Sequence, residues 1–416
     1  MGDLVMTADE DLVAEEQGAA EEVTAAEDGA DFRELSSEYL ADLLRAVERS
    51  HEPSWMAVFR YASRHKLRIV LASALLTEGY PLTPGLAYEV SFWREQEQRY
   101  GDLVGDLTRA VPELRRMKGP EIGRLYPPGW LRDSTDVDLV ARTPRQVWEA
   151  AGHLRDQGWQ PDSLALQGTE RGVDVALNMV RPSHDELLLD HQAVELVSME
   201  TTGRPWRVRP VSDPPGVRRT GPARQLLALL EEGFERDWRA RDLLDASLLL
   251  VEIAEEGVPA LAREVDALGL GRQWHTLTRR LRGYGLVDDS LLPAAGRPWR
   301  ASAQRLRRAA SLASRPPAVA AGVLQTLQRR KAGPLGSVGE RWVLDHLPGR
   351  SVLAAGLPVW GVRVDDRCAE GTEVTYRTGS GRTYATTPVG TYLLLYVPHF
   401  DPSWLHAPSP VSGQGD

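Results

Sequence analysis

The spacing of apolar residues changes between about residue 112 and residue 180, and this change most limits what the chain can fold into. Before and after it, apolar residues recur every three or four positions, as in "WMAVFRYASRHKLRIVLASALL", which is typical of amphipathic helices. Within it, "DVDLVA", "SLALQG" and "RGVDVALNM" are short runs that predict strands, the last two joined by a turn. "PRQVWEAAGHLRDQG" predicts a helix between the first strand and the others. Before the first of these strands, "PELRRMKG" and "PEIGRLY" predict a short strand and a short helix, so the sequence predicts a β-α-β-α-β-β unit between helical regions.

This pattern predicts an α+β fold with a small mixed-sheet core flanked by helical bundles. A strand-rich C-terminal segment follows, which either forms a separate domain or packs on the helices. The expected parts are an acidic tail (1–34), an N-terminal helical region (35–110), the core (111–182), a helical domain (183–332), the β-rich segment (333–400) and a flexible tail (401–416).

The net charge of −10 belongs to one end of the chain. Residues 1–31 contain eleven acidic and no basic residues, which leaves 48 acidic against 49 basic residues elsewhere. The Ala-rich tail without aromatic residues is predicted to be disordered, and it is a possible docking segment for a protein partner. The nearly neutral remainder does not indicate a strongly nucleic-acid-attracting surface.

Cysteine and hydropathy indicate the cellular setting. Cys368 is the single cysteine, so no internal disulfide can form and a reducing cytoplasm is expected. No apolar run approaches the roughly 18–20 residues that span a bilayer, and no basic segment at the N-terminus resembles a secretory signal.

Asp136 and Asp138 lie one residue apart where a strand is predicted to begin. Alternation along a strand directs both carboxylates to one face, about 7 Å apart, while Val137 and Leu139 face the core. A divalent cation relieves the repulsion between such carboxylates, as in sites for phosphoryl or nucleotidyl transfer. The alternative interpretation is that these acids only solvate a turn.

Asp174 in "RGVDVALNM" is a candidate third carboxylate. It lies on the strand face opposite Val173 and Val175, and it can face the aspartate pair if the two strands are neighbours. Three acids can hold two metal ions, one at the attacking oxygen and one at the leaving group. The alternative is an exposed strand residue without a catalytic role.

The segment "MKGPEIGRLYPPGWLRDS" precedes the pair and offers groups for phosphate. Gly119 lets a phosphate approach backbone N–H groups at a helix start. Lys118 and Arg132 could neutralise a triphosphate. The alternatives are a surface lysine, and an arginine paired with Asp133 or Asp136.

"MKGPEIGRLYP" followed by "LRDSTDVDLVAR" resembles the signature of an uncharacterised bacterial nucleotidyltransferase-like family, which has the polymerase-β-type nucleotidyltransferase fold. The resemblance extends from Lys118 to about Asn178 and weakly to "ARDLLDASLLL", where Arg241 and Asp245 are expected to hold structure. It implies that Asp136 and Asp138 form the metal-binding pair. Asp174 corresponds to a strand acid that the family follows with Leu-His, and this chain lacks that histidine.

The function that the resemblance implies is transfer of a nucleoside monophosphate from an NTP, with two Mg²⁺ ions, to an unidentified acceptor such as a small molecule, a peptide or RNA. Asp136, Asp138 and Asp174 are the expected catalytic and metal-binding residues. The alternative function is a non-catalytic module that senses nucleotide or binds a partner.

Other catalytic classes lack their motifs. The nine histidines and one cysteine show no zinc-binding spacing, and neither a G-x-S-x-G nor a P-loop pattern is present. His184, His191 and Glu195 are predicted to lie on one solvated helix face. "RTGSGR" between two strand-like runs predicts a hairpin turn.

Overall fold

The computed structural model describes residues 35–169, 172–182, 192–198, 221–233, 237–268, 270–292, 352–353, 358–379 and 382–395. The predicted acidic tail, the predicted flexible tail after residue 400 and the helix predicted in "WRASAQRLRRAASLAS" lie outside the described residues, as do His184 and His191.

The chain begins with four described helices. They are α1 (Ser37–Val47), α2 (Trp55–Arg64), α3 (Arg68–Thr77) and α4 (Pro84–Ala110). Ser36 caps α1, since its hydroxyl accepts a hydrogen bond from the Tyr39 N–H. Pro84 stands in the first turn of α4, where its missing N–H costs no helical hydrogen bond.

The predicted β-α-β-α-β-β unit is confirmed. It consists of β1 (Arg115–Met117), α5 (Pro120–Gly123), β2 (Asp136–Val140), α6 (Pro144–Asp156), β3 (Gln160–Thr169) and β4 (Gly172–Arg181). Thr143 and Gln146 form a reciprocal capping box at the start of α6. Strands β3 and β4 form an antiparallel hairpin.

Residues 192–197 correct the prediction that helices return from residue 183. They form strand β5 (Gln192–Val197), which pairs parallel with β2 and antiparallel with β4. Val194 and Leu196 are buried on one face of β5, and Glu195 between them points to the other face. The sequence just before β5, "DELLLDH", has apolar residues at a helix-like spacing. The sequence alone therefore predicts that the alternation of β5 is part of a helix.

The C-terminal strands belong to the same sheet as the core. They are β6 (Pro358–Asp365), β7 (Thr375–Gly379), β8 (Arg382–Thr387) and β9 (Gly390–Leu395). Strand β6 pairs with β3, and the sheet order is β1-β2-β5-β4-β3-β6-β9-β8-β7. The α+β class is confirmed, and the hairpin predicted at "RTGSGR" joins β7 to β8.

The later helices share a core with the first ones. They are α7 (Gly221–Glu232), α8 (Ala240–Leu268, kinked at Ala254) and α9 (Gly271–Gly283), followed by a 3₁₀ turn at Asp289–Leu291. Leu40 and Leu44 of α1 are fully buried in one apolar cluster with Leu244 of α8. In the described part of the chain, no helix has both the length and the apolar character needed to cross a membrane.

His65 connects the early helices to α8. Its Nδ1 atom accepts a hydrogen bond of 3.2 Å from the Ala240 N–H, and its Nε2 atom lies 3.3 Å from a carboxylate oxygen of Glu48. Burial lowers the pKa of His65 below its ordinary value, although Glu48 opposes the shift. The neutral imidazole is the form that can accept the Ala240 hydrogen bond.

We expect His65 to make the free energy of unfolding depend on pH. Its folded-state pKa is lowered, so its contribution is complete above the unfolded pKa of about 6.5 and is lost as the pH falls below that value. His65→Asn retains an acceptor but does not titrate, so its stability should decrease less between about pH 7.5 and about pH 5. Urea unfolding at several pH values measures the difference, with His51→Asn at an exposed position as the control. Equal pH dependence in wild type and His65→Asn would contradict this role.

Candidate functional site

Asp136 and Asp138 lie on one face of β2. Asp136 begins the strand and is exposed, whereas the side chain of Asp138 is only 13% exposed. Val137 and Leu139 are buried on the opposite face. The two carboxylates therefore have different surroundings: one meets solvent and the other is partly withdrawn from it.

Glu195 of β5 lies directly beside Asp138. The two residues are register partners on parallel strands, so both side chains project from the same face of the sheet. A side-chain hydrogen bond joins their carboxyl groups. Burial, with the nearby carboxylates of Glu195 and Asp136, raises the pKa of Asp138 well above its usual range, and Lys118 opposes the shift. The carboxyl groups of Asp138 and Glu195 are therefore neighbours, and Asp136 lies two residues before Asp138 on the same strand face.

Asp174 does not join this group. Strand β5 lies between β2 and β4, and the β4 residue at the level of Asp138 and Glu195 is Asn178. Asp174 is four positions further along β4, which places it roughly 16 Å from Asp138 by strand geometry. Its carboxylate accepts a hydrogen bond of 3.1 Å from Ser198. Asp174 was a candidate on the condition that its strand neighbours β2, and this condition is not met because β5, with Glu195 beside Asp138, lies between them.

Lys118 and Gly119 form a left-handed turn between β1 and α5. Their φ angles are 59° and 46°, a conformation that is uncommon for a lysine. A Cβ on Gly119 would lie 3.1 Å from the hydroxyl oxygen of Ser134. The glycine thus allows the loop before β2 to approach closely, and it brings a hydroxyl next to the Lys-Gly turn.

Helix α7 holds Lys118 at two points. The Lys118 N–H donates a hydrogen bond to the side-chain oxygen of Gln225. The Lys118 ammonium lies 2.8 Å from Oε1 of Glu232 and 3.9 Å from Oδ2 of Asp138. Burial alone would lower the pKa of Lys118, but the carboxylates of Glu232 and Asp138 outweigh it and raise the pKa above its ordinary value. The lysine therefore stays charged beside the carboxylates.

A small apolar cluster seats α7 against the acid-bearing face. Ala228 of α7 packs there with Val140 of β2 and Val197 of β5, each two residues beyond the site carboxylates Asp138 and Glu195. One wall of the site is therefore a helix that belongs to the large helical core.

Arg132 is directed away from the site and into the interior. Its guanidinium makes three hydrogen bonds of 2.7–3.1 Å with the carboxylate of Asp245 on α8, which also accepts one of 2.7 Å from the Tyr126 hydroxyl. The side chains of Arg132 and Asp245 are 7% and 0% exposed. Burial opposes the charge of Arg132, but Asp245 outweighs this effect and raises the Arg132 pKa. The structure thus gives Arg132 a structural partner that was not among the predicted ones.

A second arginine of α8 supports the same loop. Arg241 donates a hydrogen bond of 3.2 Å to the backbone oxygen of Asp133. The expectation that Arg241 and Asp245 hold structure is confirmed. At the other end of the loop, the Tyr100 hydroxyl donates to the Thr135 carbonyl oxygen at 2.9 Å and accepts from the Ala193 N–H at 3.3 Å. The loop that delivers Asp136 is therefore fixed from both sides.

The carboxylate oxygen atoms of the site are of the ligand type that hard cations such as Mg²⁺ prefer. Mg²⁺ is commonly held by one or two carboxylates together with substrate phosphates and water, and Asp136, Asp138 and Glu195 supply such oxygen atoms. Among the residues that the structure describes, no three His, Cys, Asp or Glu side chains form a ready metal-binding group. Here the cation closest to Asp138 is the Lys118 ammonium. The residues fit Mg²⁺ when phosphate oxygens complete its coordination.

The comparison with protein families identifies the chain. The sequence model of the family described as "Uncharacterised nucleotidyltransferase" matches residues 51–282, which is more than half of the 416 residues. The chain therefore belongs to this nucleotidyltransferase family, and an NTP substrate is implied by the membership. No curated protein and no solved structure gave a significant match.

Glu195, Glu232 and Ser134 were not found from the sequence. The alternation in "AVELV" was a signal for Glu195, since it places one acid between two apolar residues of a short strand. Nothing in the sequence distinguishes Glu232 from Glu231 beside it. Ser134 lies two residues before the strand of the aspartate pair, but its proximity to Gly119 depends on the folded loop.

Asp245→Asn tests the buried pair. The substitution leaves the Arg132 charge in the interior without its anion, which should lower the free energy of unfolding by about 3–5 kcal/mol. Urea unfolding followed by circular dichroism measures the loss. Glu89→Gln, which breaks the partly exposed Arg68–Glu89 ion pair, is the control and should cost at most about 1 kcal/mol. Similar losses in the two variants would mean that Asp245 does not anchor the loop.

Proposed function

We propose that this protein transfers a nucleoside monophosphate from an NTP to an acceptor hydroxyl in a metal-dependent reaction. Asp136, Asp138 and Glu195 are the proposed carboxylates. Lys118 is the proposed contact to the triphosphate. The proposal adds a reaction and site residues to the family membership, which by itself implies only the nucleotide substrate.

One observation carries the proposal. Asp136 and Asp138 share a strand face, and Glu195 lies at the level of Asp138 on the neighbouring parallel strand. Two neighbouring carboxyl groups with a third on the same sheet face are electrostatically unfavourable, and such arrangements are commonly found where a cation or a reaction uses them. The nearby left-handed turn at Lys118 and Gly119, which is strained for the lysine, agrees with a functional role for this corner of the molecule.

The chemistry is an in-line displacement at the α-phosphate. The acceptor oxygen forms a bond to the α-phosphorus, the bond from that phosphorus to the bridging oxygen breaks, and pyrophosphate leaves. Mg²⁺ held by Asp136, Asp138 and Glu195 would supply charge neutralisation at the phosphate oxygens and a lower pKa for the attacking hydroxyl. The exposed Asp136 is the carboxylate best placed to take the proton of the acceptor.

The remaining groups position the triphosphate. Lys118 is a point charge with three N–H donors, which suits phosphate oxygens. Gly119 and the adjacent hydroxyl of Ser134 leave room for close approach of a phosphate to the backbone. Arg132 acts indirectly in this proposal, because its hydrogen bonds with Asp245 hold the loop that leads to Asp136.

The acceptor enters from the side of Asp136, since this end of β2 is exposed and α7 covers the sheet beyond Asp138 and Glu195. The candidate acceptors are of three classes: a small molecule, a peptide and an RNA end. Incubation with α-labelled NTP and an extract of the native host, followed by separation into these three classes, identifies which fraction receives the label.

Substitutions test whether Glu195 or Asp174 acts with Asp138 in the reaction. We expect Asp138→Asn and Glu195→Gln each to reduce labelling and pyrophosphate release at least about a hundredfold, because the lost charge contributes several kcal/mol in the transition state. Asp174→Asn is the matched control and should stay within about twofold of wild type. Melting temperatures of all three variants exclude unfolding as the cause. Loss of activity in Asp174→Asn with full activity in Glu195→Gln would reverse the assignment.

Calorimetric titration of the four NTPs, with Mg²⁺ and with EDTA, tests binding separately. We expect one nucleotide to bind in the presence of Mg²⁺ and to lose affinity in Asp136→Asn. Nucleotide binding without transfer to any fraction would favour a nucleotide-sensing module. No binding of any NTP would overturn the proposed function.

A further inference from the structure

Lys118 occupies an unusual position for a residue that is proposed to contact phosphate. Its ammonium lies between two carboxylates from distant parts of the chain, 2.8 Å from Glu232 and 3.9 Å from Asp138. Its side chain is 23% exposed, so part of the side chain reaches solvent. Among the described residues, Lys118 is therefore the basic residue that forms an ion pair with Asp138.

The backbone of Lys118 is held in place, whereas its ammonium lies at the end of a flexible four-carbon side chain. The left-handed turn at Lys118 and Gly119, with the hydrogen bond from the Lys118 N–H to Gln225, sets the position of the backbone. Gln225 and Glu232 are seven residues apart on α7 and therefore lie on the same helix face. One helix thus holds both the backbone and the ammonium of Lys118, and only the flexible side chain can change partners.

We propose that Lys118 is an exchangeable internal cation and that Glu232 is the positioning residue that holds it. Glu232 takes the closer contact with the ammonium and leaves Asp138 the longer one, so that Asp138 does not hold this charge alone. When a metal–nucleotide complex enters, the ammonium leaves this position and pairs with phosphate oxygens. This inference rests on the proposed function, because it requires that the carboxylates bind the metal ion.

The choice of residue agrees with such an exchange. The chain has three lysines among 49 basic residues, so an arginine is its usual cation. Lysine carries a compact charge on a flexible four-carbon chain, whereas arginine forms planar paired hydrogen bonds that favour a fixed partner. Arg132, fourteen residues after Lys118 in the chain, forms such a fixed pair with Asp245 of α8. The site thus combines an immobile arginine with a lysine that can move.

Binding of Mn²⁺ alone, without nucleotide, tests the exchange on the full chain. Lys118→Met removes the competing charge, so Mn²⁺ affinity should rise about tenfold, or ~1.4 kcal/mol. Glu232→Gln leaves the ammonium with Asp138, so Mn²⁺ affinity should fall at least about threefold. Electron paramagnetic resonance of free Mn²⁺ gives the affinities. Glu252→Gln on α8, at an exposed position, is the control and should not change them.

The double variant Lys118→Met/Glu232→Gln separates positioning from simple loss of charge. If Glu232 acts through Lys118, the Glu232 substitution should have little effect on Mn²⁺ affinity once the lysine is absent. Equal effects of Glu232→Gln in the two backgrounds would overturn the positioning role. Lys118→Asn provides a second removal of the ammonium with a residue that tolerates left-handed backbone. It should raise Mn²⁺ affinity as Lys118→Met does.

Titration with ATP and Mg²⁺ supplies the second half of the exchange. Lys118→Met should weaken ATP binding at least about tenfold, opposite in direction to its effect on Mn²⁺. Unchanged Mn²⁺ and ATP affinities in both lysine variants would overturn the inference. Asp138→Asn separates the test of the metal-binding site from the test of the lysine exchange. If this variant does not bind Mn²⁺, the assignment of Asp138 to the metal site stands whether or not the exchange occurs. If Asp138→Asn binds Mn²⁺ like wild type, the metal assignment fails first.

Discussion

Arg132 and Asp245 form the contact on which the arrangement of the site depends. Moving two charges out of water costs several kcal/mol per ion, so such a pair persists only where hydrogen bonds compensate the cost. Three bonds between the side chains and one from Tyr126 meet this requirement. The pair joins α8 to the loop before β2. Loss of either side chain would leave the other charge buried without a partner. The pair therefore favours the loop position from which Asp136 begins its strand.

Helix α7 makes the corresponding connection on the other side of the site. Its Ala228 packs on the sheet, and its Gln225 and Glu232 hold Lys118. The helix is also part of the core that includes α1 and α8, so the proposed phosphate contact is supported from outside the nucleotidyltransferase sheet. The two connections differ in physical character. The arginine pair is buried and static, whereas the lysine pair is partly exposed and shares its cation with Asp138.

Sheet order explains why one acid reaches the site and another does not. Asp174 and Glu195 are both single acids in short alternating strands, and the sequence gives neither an advantage. Insertion of β5 between β2 and β4 brings Glu195 to the level of Asp138 and moves Asp174 two strands away. Pairing between strands that are more than fifty residues apart along the chain has no local signature. An acid can therefore be assigned to a face from its sequence, but not to a neighbour.

Local patterns in the sequence were sufficient to predict the β-α-β-α-β-β order, the shared face of Asp136 and Asp138, and the presence of helical regions before and after this unit. These features follow from residue-by-residue alternation and from capping, which act over a few positions. Three features became evident only from the folded structure. Strand β5 lies inside the sheet, the C-terminal strands extend this sheet through β6, and Arg132 pairs with Asp245. Each of these outcomes is a contact between distant segments, because its energy depends on burial and on partners that no local pattern specifies.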